Sequence, residues 1–331
     1  MSTASASALS DSPAIAAATR VPASLFSIVL GLGGLAAAWR AAARAYATSA
    51  WLADALLAVA AALWIGVLAA QVLRAFHARD RLGAELGHPV QGSLASLAPV
   101  SLLVLLPAGL AARFPGLAAV LFWIGVAAEV SYGAWSVGGW ILHPPPVEEV
   151  TPAMYLPPAA GNLVGAMAAG ALGRNDVGWV LFGAGVIAWF VLAGVLLSRH
   201  VTAGELPPAL RPLLGIELAP PAVALVAYQA LEGADPDAFS RGLLGYALFV
   251  AAVLLRLAGR FRDVPFSATY WAFTFPLAAL STACLRQGSA APGSLAGALA
   301  LPMFVVANGV IAVIAFLTVS GAARGTLLPR K

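Results

Sequence analysis

The sequence predicts an all-α integral membrane protein, with ten transmembrane helices arranged as five helical hairpins around a central pore. Three observations predict it. Of 331 residues, 61% are hydrophobic and only 10% are charged, whereas soluble domains run near half apolar and a quarter charged. The apolar residues gather in runs of about 20, the length that crosses a hydrocarbon core. Four alternate runs also carry an internal proline: Pro99, Pro158, Pro220 and Pro276. Proline inside a helix forfeits a hydrogen bond and costs roughly 3 kcal/mol. Membranes tolerate such breaks where the freed backbone is buried in protein or lines a wet cavity. Helices sharing this break at every second position are therefore read as surrounding a pore together.

Taken in order, residues 1–20 are rich in Ala, Ser and Thr, with Asp11 and Arg20 their only charges. They lack the basic start and apolar core of a signal peptide, and are expected to form a disordered cytoplasmic N-terminal tail. The transmembrane channel domain then runs over 21–322, followed by a short cytoplasmic C-terminal tail, 323–331. Spans are expected near 22–39, 51–75, 93–112, 116–142, 156–172, 176–198, 212–231, 237–260, 265–285 and 294–321. Polar breaks at Asp80 and Arg81, 143–149, Arg174 to Asp176, Arg199 to Pro208, Asp235 to Asp237 and Arg260 to Asp263 separate most of them. Arg113-Phe-Pro115 is so short that it forces a tight hairpin between the third and fourth spans.

Basic residues give the orientation. The side that holds the termini carries Arg20, Arg74, Arg79, Arg81, Arg199, Arg211, Arg256, Arg260, Arg262, Arg324, Arg330 and Lys331. The other side carries Arg40, Arg44, Arg113, Arg174, Arg241 and Arg286. The positive-inside rule then places both termini in the cytoplasm of a cell (inner) membrane protein. The odd spans carry the prolines, Gly31, Gly33 and Gly34, and a Gly161/Gly165/Ala169 ladder. The even spans two to eight are proline-free, bulkier and richer in Trp. An inner ring of bent, small-residue helices inside an outer ring of straight ones follows from this division. Pro302 in the tenth span departs from it.

Several function classes are excluded. Arginine supplies all but one of the basic residues, and these are scattered at span ends rather than set in a stripe, so no nucleic-acid partner is expected. A single cysteine, Cys284, rules out an internal disulfide and a cysteine-clustered metal site. His77, His88, His143 and His200 are read as loop residues, so no haem, metal or other cofactor is expected. The Gly31-Leu-Gly-Gly34 run follows no strand and is no nucleotide loop. Enzyme chemistry lacks clustered polar groups inside the spans.

Particular words in the odd and even spans carry a family resemblance. Tyr155-Leu-Pro-Pro-Ala-Ala-Gly-Asn-Leu-Val-Gly-Ala166, Phe182-Gly-Ala-Gly-Val-Ile-Ala-Trp189, Leu218-Ala-Pro-Pro-Ala222 and Trp271-Ala-Phe-Thr-Phe-Pro276 lie on spans five, six, seven and nine. From about Pro22 to Leu317 the chain resembles the tellurite-resistance/dicarboxylate transporter family, which embraces TehA-like bacterial proteins and plant slow-type anion channels. The resemblance implies ten helices in five hairpins, a pore through each subunit of a homotrimer, and a phenylalanine plug on the ninth helix, here Phe275. Family members have proline where this chain has Val29, so the first span must bend at its glycines or bend less.

Each candidate residue has a plainer reading beside the functional one. Phe275 by itself is an ordinary lipid-facing or packing side chain; beside Pro276, and with the motif match, it becomes the pore gate. The kink prolines Pro99, Pro158, Pro220 and Pro276 either shape packing or leave a narrow waist into which backbone dipoles point. No Lys or Arg is read as lying deep in an odd span, so anion preference is expected to rest on those dipoles and on mouth residues such as Arg262 and Arg211. Gly31, Gly33, Asn162 and Gly165 are candidate pore-lining residues. Interhelical hydrogen bonding is the plainer role for Asn162 and Asn308, and close packing for the glycines. Glu129 is expected to be protonated or hydrogen-bonded across a helix or subunit contact. Glu217 is a candidate proton-coupling residue if it faces the pore, and otherwise a mouth-level acid paired with Arg211 or another Arg. The expected function is a channel for small inorganic or carboxylate anions in the lipid bilayer, with chloride and nitrate as examples. The alternative is a proton-coupled transporter of C4-dicarboxylates or oxyanions.

Overall fold

The computed structural model describes residues 20–325. Residues 1–19 and 326–331, which hold most of the two expected tails, lie outside the described residues. Ten helical segments follow one another: α1 (Ala23–Ala45), α2 (Trp51–His77), α3 (Pro89–Arg113) and α4 (Pro115–Leu142); α5 (152–171); then α6 (Asn175–Thr202), α7 (Pro208–Leu231), α8 (Ala238–Arg256), α9 (Ala268–Ala290) and α10 (Leu295–Ala323). Among the described residues there is no strand, and nine of these segments are long and apolar enough to cross a membrane. The exception is α5, where Pro152, Pro157, Pro158, Asn162 and the glycines dilute the apolar character, although nearly all of it is buried.

Each odd segment packs against the even one that follows it, giving five hairpins. The odd segments also touch in cyclic order, α1 to α3, α5, α7, α9 and back to α1. Burial separates the two sets. In α1, α3, α7 and α9 between 67% and 72% of the apolar window is buried, against 17% to 28% in α2, α4, α6, α8 and α10. Small residues on the odd helices let backbones approach closely. The even helices turn Val, Ile, Phe and Trp outward, as surfaces solvated by lipid do. Val180, Ile187 and Phe190 of α6 are examples.

The prolines take a different role from simple mid-helix kinks. A tight 3-10 segment, Pro208–Leu218, leads into the α-helix Ala219–Leu231, and Ala268–Phe273 leads into Thr274–Ala290. Pro220 and Pro276 sit in the first turn of those α-helices, and Pro99 in the first turn of Leu97–Leu105. First-turn N–H groups have no intrahelical acceptor, so proline costs little there. Pro158 lies in a wide turn, Leu156–Ala160. Val29 has no such effect: α1 is continuous from Phe26 to Ala45. Pro302 is exposed on the outer face of α10, which continues through it.

Polar side chains tie the hairpins together. Trp39 Nε1 donates to Asn308 Oδ1 at 2.8 Å between α1 and α10, the interhelical role expected of Asn308. Gln229 Nε2 donates to the Ala283 carbonyl at 3.1 Å, and Gln287 Nε2 to Ser240 Oγ at 3.0 Å. Buried Arg74 pairs with Glu85 of the short helix Arg79–Gly87 and donates to the Val21 carbonyl, fastening α2 to the start of α1.

Candidate functional site

Two small cavities lie inside the ring of odd helices, and all five helices contribute to each. The first, of about 40 Å³, is lined by Ser27 and Leu30 of α1, Leu97 and Val100 of α3, Leu156 and Ala160 of α5, Ile216 and Ala219 of α7, and Trp271, Phe275 and Pro276 of α9. The second, of about 50 Å³, is lined by Arg40 and Arg44, Pro107, Met167, Val226 and Ala230, and Thr282 and Arg286 of the same helices. On every helix the second set lies later in the chain, so the five run the same way and the cavities lie at two depths.

Phe275 is 5% exposed and, with Pro276, is the last α9 residue to reach the first cavity. Its ring rests against α1 where Gly34 leaves a notch: a Cβ on Gly34 would lie 2.7 Å from Phe275 Cδ2 and 3.2 Å from the Ala278 Cβ. One turn earlier, Gly31 gives the same close approach to Thr274 and Trp271. Trp271 is held by its Nε1 donating to Thr318 Oγ1 of α10 at 2.9 Å. The glycine run of α1 is thus the seat for the Trp271–Phe275 turn of α9.

The two cavities differ in electrostatics. The first is lined by apolar side chains apart from Ser24, Ser27 and Thr269, and no charged residue reaches it. The α-helices starting at Leu97, Gly161, Ala219 and Thr274 begin beside it, so their positive ends lie at its wall. The second carries three arginines. Arg40 Nε donates to the Ala108 carbonyl at 2.9 Å and Nη2 to Asp54 Oδ1. Gly109, at φ 143°, leaves the room that the guanidinium fills. Arg113 engages the other oxygen of Asp54. Arg286 Nη1 reaches only the Val226 carbonyl, at 3.4 Å, and Arg44 forms no hydrogen bond or ion pair with another described residue. Placing anion preference at dipoles and outer mouths alone therefore missed these side chains. α1 and α9 extend past the expected ends at 39 and 285, which brings Arg40, Arg44 and Arg286 onto inner helices. The signal in the sequence was Arg40 and Arg44, one turn apart just beyond the small-residue span.

The remaining sequence candidates fall elsewhere. Gly31 faces α9 and Gly33 faces Val104 of α3. Gly165 faces Leu181 of α6, and Gly161 faces Glu129 of α4. None of them lines either cavity. Asn162 donates from Nδ2 to the Pro158 carbonyl at 2.7 Å, serving the wide turn of α5. Glu129 is buried within the chain, 1% exposed, between α4 and α5, and neither carboxylate oxygen has a partner among the described residues.

Glu217 faces away from the ring into a lateral groove of about 670 Å³ between α6, α7 and α8. It accepts from Tyr155 Oη at 3.2 Å and lies 3.2 Å from His200 Nε2. Its expected partner Arg211 instead pairs with Glu205, as does Arg260. Since α2 runs to His77 and α6 to Thr202, His77 and His200 are helix residues rather than loop residues.

Comparison with known proteins adds to this geometry. Residues 20–319 match the family model described as SLAC1, voltage-dependent anion channel. The chain is 29% identical to the tellurite resistance protein TehA homolog of Haemophilus influenzae over 92% of both chains. It is 30% identical to the guard cell S-type anion channel SLAC1 of Arabidopsis thaliana over 55% of this chain and 32% of that one. To the S-type anion channel SLAH3 of the same plant it is 25% identical, over 88% of this chain and 47% of that one. It thus spans less than half the length of these plant relatives.

Proposed function

Because the chain belongs to the SLAC1 family of voltage-dependent anion channels, we propose that it is a passive channel for small anions such as chloride and nitrate, closed by Phe275. The observation that carries this reading is the pair of cavities at two depths in one five-helix ring, with Phe275 at the end of the first. A multi-pass chain with an apolar constriction of this kind stops hydrated ions by excluding water. Rotation of one ring away from the Gly34 notch opens the path, while positive helix ends at the first cavity favour anions over cations. The reading includes ten crossings, with α5 as the one whose prolines and Asn162 lower its hydropathy. It includes an inner-membrane location with both termini cytoplasmic, and a homotrimer with a pore in each subunit.

The test is Phe275→Ala in liposomes under a chloride or nitrate gradient. Anion flux is expected to rise at least about tenfold, the effect of taking roughly 1.4 kcal/mol from a barrier. Unchanged flux removes Phe275 from the gate. Proton-coupled carriage of dicarboxylates is supported less well. Its candidate residue Glu217 opens onto the lateral groove, where Tyr155 and His200 engage it.

A further inference from the structure

We propose that the second cavity is a binding site for one small planar oxyanion of the nitrate or bicarbonate class, gripped between the guanidinium groups of Arg44 and Arg286. The site deepens the anion-channel reading and rests on it for its role in conduction. Three arginines line a space of about 50 Å³, and Asp54 has one oxygen on Arg40 and the other on Arg113. Arg40 is therefore neutralised and fixed by Asp54, the Ala108 carbonyl and the space at Gly109. Among the described residues Arg44 and Arg286 are left without a counter-ion. Two like charges facing one narrow space repel, and a half-buried guanidinium lacking a partner is costly. An anion between them relieves both penalties.

Helix polarity makes the arginines necessary. The inner helices present their later, C-terminal turns to this cavity, where the backbone carries negative partial charge. Without Arg44 and Arg286 this mouth would repel the ion that the first cavity attracts. Size and shape narrow the ligand further. A buried water needs about 10–15 Å³ of such space, so the cavity holds a few waters or one small ion, not an extended dicarboxylate. A guanidinium presents a flat fork of donors that matches a planar oxyanion with two parallel bonds, which a spherical halide cannot accept. Thr282 does not compete, because its hydroxyl donates to the Ala278 carbonyl at 2.8 Å.

The experiment titrates nitrate and chloride separately into the full-length protein in detergent. Thermal midpoint is the readout, with ionic strength held by a bulky organic sulfonate. Wild type is expected to be stabilised saturably, at lower concentrations of nitrate than of chloride. Arg286→Gln and Arg44→Gln should each raise the half-saturating nitrate concentration about tenfold, the loss of one charge-assisted hydrogen bond. Arg286→Lys, which keeps charge but loses the fork, should weaken nitrate and leave chloride nearly unchanged. Arg44 is exposed and unpartnered, so its variant will fold even if one at position 286 does not. Saturable nitrate binding unchanged in Arg44→Gln and Arg286→Lys overturns the site. Flux of Phe275→Ala in liposomes is measured in parallel. Binding lost in the arginine variants with no rise of flux in Phe275→Ala would sustain the site and defeat the channel reading. Raised flux in Phe275→Ala with unaltered binding in the arginine variants would do the reverse.

Discussion

The two cavities are built from the same five helices and differ in what lines them. Around Phe275 the wall is leucine, isoleucine, alanine and tryptophan, and what favours an anion is the positive end of helices that restart after a break. Around Arg286 the wall carries three arginines among small and apolar side chains, and the backbone polarity works against the anion. An apolar waist next to helix starts can stay dry and still be passable, whereas a mouth at helix ends needs side-chain charge. On the proposed reading one ring separates the barrier from the attraction. Few residues are needed for both: glycines at positions 31 and 34, and the two arginines Arg44 and Arg286.

Four substitutions sharpen or break that comparison. The largest effect on flux among them is expected from Ile216→Asn, which puts a polar group in the dry cavity while leaving Phe275 in place. Making that wall easier to hydrate by about 1 kcal/mol should raise basal anion flux in liposomes roughly fivefold. No rise would mean that dryness contributes nothing to closure beyond the aromatic ring. Gly34→Ala should cost about 1–3 kcal/mol by overpacking, because the new methyl meets the Phe275 ring at 2.7 Å. Denaturation in detergent reads this, and unaltered stability would show that the ring is not seated there.

At the arginine end, Asp237 caps α8 by accepting from the Ser240 N–H at 2.7 Å, and it also accepts from the Tyr228 hydroxyl. Asp237→Ala should lose about 0.5–2 kcal/mol. The Tyr228 hydroxyl, then the Ser240 N–H, hold this carboxyl below its usual range. Its folded pKa is depressed, so the stabilisation is complete above the unfolded value of about 4 and fades as pH falls through the folded one. The gap between wild type and Asp237→Ala should thus stay constant from about pH 7 to pH 5 and shrink below about pH 4. A gap that widened in acid would contradict the assigned partners. The smallest effect belongs to Glu217→Gln, off the axis: flux should change by less than about twofold. A tenfold loss, or loss of pH-driven accumulation, would return the proton-coupled reading to the front.

Much of this architecture was legible in the residues. Run length and the proline rhythm gave the spans, and the contrast of small with bulky residues gave the inner and outer rings. Phe275 came from a motif, since nothing in a lone phenylalanine distinguishes a gate from lipid-facing bulk. What the chain did not disclose was the pairing of distant segments. That Gly34 receives Phe275, and that Arg40 and Arg44 meet Arg286, depends on α1 lying beside α9, and such closure leaves no local pattern. Arg40, Arg44 and Arg286 counted equally well as topology markers at helix ends, which hid their convergence. The prolines were readable as breaks, but their place in the first turn of a helix that follows a tight segment was not. That Glu217 meets Tyr155 and His200 was not readable, because side-chain direction near a 3-10 segment does not follow the α-helical period.

Closure of the ring between α1 and α9 has a consequence for how the protein is made. Of the five inner helices, the one made first carries the glycine notch, and the helix that fills it, α9, is the one made last. Until then the face of α1 that α9 covers must be shielded by lipid or by the insertion machinery, and the ring is open on that side. Contacts so far apart in the chain form late and slowly. A stop codon or a jammed ribosome before residue 268 would therefore yield a membrane-inserted fragment with most of its spans and no conduit, ready for quality control to clear.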